Sequence, residues 1–115
     1  MGWTQWVRVA DESEYLPENT PQWEGPACYE LGVKTMRGRK HEIMYVGETG
    51  NLRARISTYA RDSSHLGNLI DNELRLGKSL YYRFQRKVSK ENAVIMQNNL
   101  LARYDYPWNY QRNCD

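Results

Sequence analysis

Two periods of apolar and polar positions run through residues 26 to 104, and the switches between them mark the elements. After Pro26, ACYELGVKT is short and β-prone, MRGRKH is polar, and EIMYVGE resumes the β-prone pattern. This predicts two strands joined by a loop containing Gly38, a hairpin. The period changes after Gly50-Asn51: Leu52, Ile56 and Tyr59 recur at i, i+4 and i+7, which predicts an amphipathic helix over about 51–61. A second helix follows Ser63-Ser64, with Leu66, Leu69, Ile70 and Leu74 on one face and Gly77 as its stop. SLYYRFQRKV alternates again and reads as a third strand. Ser89 is a fitting N-cap for a third helix over 90–104, and Pro107 ends the regular pattern. The order β-β-α-α-β-α predicts an α+β fold, a three-stranded antiparallel sheet flanked by helices.

Residues 1–25 do not follow this pattern. They hold Trp3, Trp6 and Trp23, three of the four tryptophans, together with Pro17 and Pro21. Large aromatic rings need burial, so this leader is expected to pack on a domain of residues 26–115 or on a partner. The 115 residues suit one domain with a modest core. No apolar run approaches a membrane span, and the N-terminus lacks a signal layout, so a cytoplasmic protein is expected. Cys28 and Cys114 make no metal-ligand spacing, and free thiols suit a reducing compartment.

The net charge of +2 hides an asymmetry. Residues 1–33 carry Arg8 against six acidic residues, a balance of −5, whereas residues 34–115 stand at +7. A basic body favours a phosphate-bearing partner. Its basic residues include Lys34, Arg37, Arg39 and Lys40 in the hairpin, Arg53 and Arg61 on the first helix, and Arg86 and Lys87 at the end of the third strand.

Two positions stand out from a packing pattern. Arg55 and Tyr59 are four apart, on one helix face beside the apolar one and above the strand carrying Tyr45. A guanidinium near phenols suits a phosphodiester, because it stays charged and can neutralise developing negative charge. On the third helix, Ala93, Val94, Leu100 and Leu101 flank Gln97, which places a polar side chain in the middle of an apolar stripe. A core glutamine satisfied by backbone or water is the simpler reading from the helix alone; a functional one is the other.

These motifs together resemble the GIY-YIG nuclease superfamily over roughly residues 26–110. Ala27-Cys28-Tyr29 is similar to the first signature triplet and Tyr45-Val46-Gly47 to the second. The run from Gly47 through Arg55 to Tyr59 resembles the segment after the second triplet in excision-repair members. Ala93–Leu101 is similar to the family's glutamate-bearing helix, and Pro107-Trp108-Asn109 to its closing aromatic-Asn, as in small phage and restriction-type members. The resemblance implies an endonuclease that hydrolyses phosphodiester bonds with one divalent ion, Mg2+ or Mn2+. Its expected substrate is double-stranded DNA, with a homodimer as one way to cut both strands. It implies roles for Tyr29 as base, assisted by Tyr45, for Arg55 and Tyr59 at the phosphate, for Gln97 at the metal, and for Asn109 in support. The eight basic residues named above would contact nucleic acid.

Gln97 departs from the family, which carries a metal-binding Glu at that position. Magnesium prefers anionic oxygen, so a neutral amide should weaken metal binding and impair catalysis. An engineered Glu-to-Gln change is the preferred reading, since the other catalytic positions are intact. The alternatives are a non-catalytic nucleic-acid-binding module derived from a nuclease, or a substitute carboxylate at Glu48 or Glu91.

Overall fold

The computed structural model describes residues 2–109; Cys114 lies outside them. Seven regular elements run in the order β1 (Val7–Ala10), β2 (Ala27–Thr35), β3 (Glu42–Thr49), α1 (Leu52–Tyr59), α2 (Gly67–Arg75), β4 (Lys78–Arg86) and α3 (Lys90–Arg103), with a single 3₁₀ turn at Pro17–Asn19. The fold is α+β with an antiparallel sheet, as the pattern predicts, but the sheet has four strands, in the order β1-β4-β2-β3. The extra strand comes from the leader. Val7 pairs with Tyr82 and Ala10 with Leu80, which closes the edge of β4 that a three-stranded sheet would leave open. Among the described residues, no helix is long and apolar enough to cross a membrane.

β2 lies between β4 and β3 and is covered on both faces, so its first seven residues are all buried. Side chains alternate between the faces. Tyr29, Leu31 and Val33 join the larger core with residues of α1 and α2, whereas Cys28 faces the other way, into a smaller cluster with Val46 and Tyr106. Met96 and Leu100 of α3 pack on that second cluster. The sheet thus has an α1/α2 face and an α3 face.

Local chemistry sets the helix ends. The Asn51 side chain accepts from the Ala54 N–H (3.0 Å) and the Ser89 side chain from the Asn92 N–H (3.2 Å). The leader satisfies two further free N–H groups of α1: Leu52 donates to the Gly25 carbonyl (3.1 Å) and Arg53 to the Trp23 carbonyl (2.9 Å). Gly77 turns the chain from α2 into β4 at φ +82°, a backbone conformation that costs glycine little.

The stripe expected around Gln97 is narrower than its sequence suggests. Ala93 is the one buried residue of α3; Gln97 is half-buried and Ile95 and Leu101 are exposed. α3 is the only described helix on its face of the sheet. Its flanks therefore remain in water, and the amide at position 97 need not find a partner in the core.

Candidate active site

β2, β3 and α1 bring three of the expected phenols together on the α1/α2 face. Tyr29, Tyr45 and Tyr59 are all at most 1% exposed. The Tyr29 and Tyr59 hydroxyls hydrogen-bond to each other at 2.7 Å, and the ring centroids of Tyr29 and Tyr45 are 6.2 Å apart. Register explains the closeness. Tyr29 pairs with Gly47 across β2–β3, and the tip of its ring lies over the Gly47 Cα, in the space a Cβ would fill. The glycine of the second triplet is therefore the floor on which Tyr29 rests. β3 is the edge strand, so Tyr29 reaches from the sheet interior toward its rim.

Arg55 stands half-buried beside these phenols. Burial disfavours its charge, but the facing Tyr29, Tyr59 and Tyr45 outweigh that and leave it held above the usual guanidinium value. Two of the phenols are raised as well, which for them favours the neutral form. Burial, followed by its phenol neighbours, pushes Tyr29 well above the ordinary tyrosine value, and the Arg55 charge offsets only part of this. Tyr59 is likewise raised, chiefly by burial. In the resting protein Tyr29 and Tyr59 keep their protons, and Arg55 brings a permanent positive charge to the cluster.

His65, from the segment joining α1 to α2, sets its ring edge-on to Tyr45, with centroids 6.0 Å apart. Its exposed side chain lies at the rim of the cluster. Spacing along the chain gave no hint of this, because His65 belongs to neither helix.

The remaining expected residues are more dispersed. Asn109 does not touch the phenols. Its side chain accepts from the Val46 N–H (2.9 Å) and donates to the Val46 carbonyl (3.0 Å), clamping the free edge of β3 between Tyr45 and Gly47. Gln97 belongs to α3, the helix across the other face. Glu48 also points to that face, and its Oε2 is buried with no hydrogen-bond partner among the described residues. Glu91 is exposed in the first turn of α3.

The basic residues fall into separate groups. Arg53, Arg86 and Lys87 lie at the end where β2 begins and α1 starts. There Arg86 stacks on the Trp23 ring at 4.6 Å, and the Lys87 N–H donates to the Pro26 carbonyl. Lys34, Arg37, Arg39 and Lys40 are at the other end of the hairpin, starting about 17 Å along β2 from Tyr29 at ~3.3 Å per residue. Arg61 follows the end of α1, its Nε donating to Ser57 Oγ at 3.0 Å.

A magnesium or manganese ion needs at least one anionic oxygen donor from the protein. Position 97 offers a neutral amide, and among the described residues no three His, Cys, Asp or Glu side chains converge on one point. Gln97 does not supply that donor; Glu48, on the same face with a buried and unpartnered Oε2, is a carboxylate there that could.

A family model described as GIY-YIG domain-containing protein matches residues 1–115. Among curated relatives, the UvrABC system protein C of Cereibacter sphaeroides is 36% identical over 70 residues, covering 61% of this chain and 11% of that protein. That of Methanothermobacter thermautotrophicus is 29% identical over 109 residues, covering 95% and 16%. Protein EFFECTOR OF TRANSCRIPTION 2 of Arabidopsis thaliana is 28% identical over 127 aligned positions, covering 86% of this chain and 26% of that protein. The chain thus spans about a quarter or less of these relatives' lengths, and no solved structure matches it significantly. With both triplets, the Arg55 helix and the Asn109 clamp in one fold, the chain belongs to the GIY-YIG domain family.

Proposed function

We propose that this chain is a DNA endonuclease domain that binds the phosphodiester backbone at the Tyr29–Tyr45–Tyr59–Arg55 cluster, with cleavage impaired by Gln97. The observation that carries this reading is the cluster itself: three buried phenols around a guanidinium that no carboxylate among the described residues neutralises. An unmatched cation suits a phosphate, and the half-buried Arg55 is the group through which the cluster, its phenols buried behind it, would meet one. Tyr29 accounts for the impairment. To take a proton from water near neutrality it must first lose its own, and burial opposes that. The resemblance implies that a carboxylate-held divalent ion brings the positive charge this step needs; position 97, on α3, carries a neutral amide instead. Arg53, Arg86 and Lys87 extend the positive surface at the same end. One cluster per chain addresses one strand, so cutting a duplex takes two copies or two successive nicks.

The test compares the chain as it stands with Gln97→Glu on supercoiled plasmid in magnesium, beside a DNA-binding assay for both. Nicking by Gln97→Glu, with binding common to both proteins, is the expected result. If both bind DNA and Gln97→Glu never nicks, the chain is a binding module.

A further inference from the structure

The α3 face carries a second polar centre, assembled from distant parts of the chain. Glu30 is 3% exposed. Its Oε1 accepts from Arg83 Nε (2.8 Å) and Nη2 (2.7 Å), and its Oε2 accepts from the Tyr106 hydroxyl (2.7 Å). The Arg83 guanidinium is also flanked by the rings of Trp3 (4.9 Å) and Trp6 (4.5 Å). These contacts fix its orientation. Above them opens a groove of about 460 Å³. Its floor is Glu30 and Arg83, its walls include Trp3, Leu100 and the exposed Tyr104, and Asp105 stands at its rim.

The chemistry of this groove narrows its occupant. An ammonium ligand would meet Arg83, and a phosphate would meet Glu30 and Asp105. A hydrocarbon would cover hydrogen-bonding groups without replacing their partners. A guanidinium has five N–H donors, and each carboxylate oxygen can accept more than one hydrogen bond. The floor therefore offers donors and acceptors side by side at no net charge, beneath aromatic walls. A flat, neutral ring with donors and acceptors along one edge meets all of these conditions.

We propose that this groove binds a single unpaired nucleobase, stacked against Tyr104 and Trp3 and read along its edge by Arg83, Glu30 and Asp105. It lies on the face away from the phenol cluster. Nucleic acid as partner rests on the functional reading above, but the groove itself needs no phosphate. Free nucleosides therefore test it separately: they lack the group the phenol cluster would bind.

The experiment titrates adenosine, guanosine, cytidine and thymidine into the ¹⁵N-labelled chain and follows the Trp3 indole N–H by NMR. Tyr104→Ala serves as the variant, since Tyr104 is 57% exposed and its loss should leave the fold intact. Saturable shifts at Trp3, weakened at least about fivefold by Tyr104→Ala, support the proposal, because stacking on one aromatic side chain accounts for a loss of that size. No shift with any of the four nucleosides up to its solubility limit would overturn it, as would shifts that Tyr104→Ala leaves unchanged. Trimethylammonium or inorganic phosphate moving Trp3 where nucleosides do not would also overturn it. A chain that binds nucleosides here yet neither binds nor cuts DNA would count against the nuclease reading while leaving this one standing.

Discussion

The two faces of the sheet treat a partly buried arginine in opposite ways. Under α3, Arg83 meets Glu30 in a two-pronged ion pair, with Tyr106 bonded to the same carboxylate. Under α1 and α2, Arg55 is surrounded by phenols and has no carboxylate partner among the described residues. A matched pair holds structure together. A half-buried cation with no carboxylate beside it keeps N–H donors for an anion from outside the chain, and such an arrangement commonly marks function.

That contrast can be broken by mutation. Glu30→Ala should have the largest effect, because it strands Arg83 in a largely buried setting. A loss of about 3–5 kcal/mol in urea unfolding is expected, and a loss under ~1 kcal/mol would mean the pair is no structural anchor. Gly47→Ala should come next. The new methyl group enters the space of the Tyr29 ring, so about 1–3 kcal/mol of overpacking should appear together with weaker DNA binding. Unchanged binding and stability would show that the ring does not depend on that glycine.

The phenol face should also reveal itself in alkali. The folded protein holds the Tyr29 and Tyr59 protons more tightly than the unfolded chain, where tyrosine titrates near pH 10. This contribution to stability is complete below about pH 10 and is lost as the pH rises toward the raised folded values. Phenolate absorbance near 295 nm should therefore lag behind that of denatured protein, and the lag should shrink in Tyr59→Phe. The smallest stability effect belongs to Arg55→Ala. With no ion pair to break, it should move the unfolding free energy by less than ~1 kcal/mol while weakening DNA binding. A loss comparable to that of Glu30→Ala would erase the distinction between the faces.

The same contrast explains what the sequence could reveal. The phenol face is built from short-range spacing: a Tyr two positions before a Gly, an Arg four before a Tyr, an Asn at a helix start. Each carries its meaning within one turn or strand, so the Arg55–Tyr59 face and the elements from residue 27 to 103 are legible, while Tyr29 joins them through the register of β2 with β3. The α3 face joins residues 3, 30, 83 and 106, whose adjacency exists only through the register of β2 with β4 and the path of the closing segment. Nothing local announces it. The fourth strand was hidden for a related reason. Val7–Ala10 is four residues long with no turn signal, and the open edge of β4 recruits it. Gln97 misled in part, since apolar neighbours on its own helix suggested a core position, and only the packing shows that α3 leaves its flanks in water.

The most direct test of the account is the single-turnover cleavage rate of the Gln97→Glu chain in magnesium, with and without Arg55→Ala. Removing the guanidinium should lower the rate by about 10²–10³, the size expected when one preorganised charge-stabilising donor is lost. Equal rates in the two proteins would contradict it and move the reacting centre away from the phenol cluster.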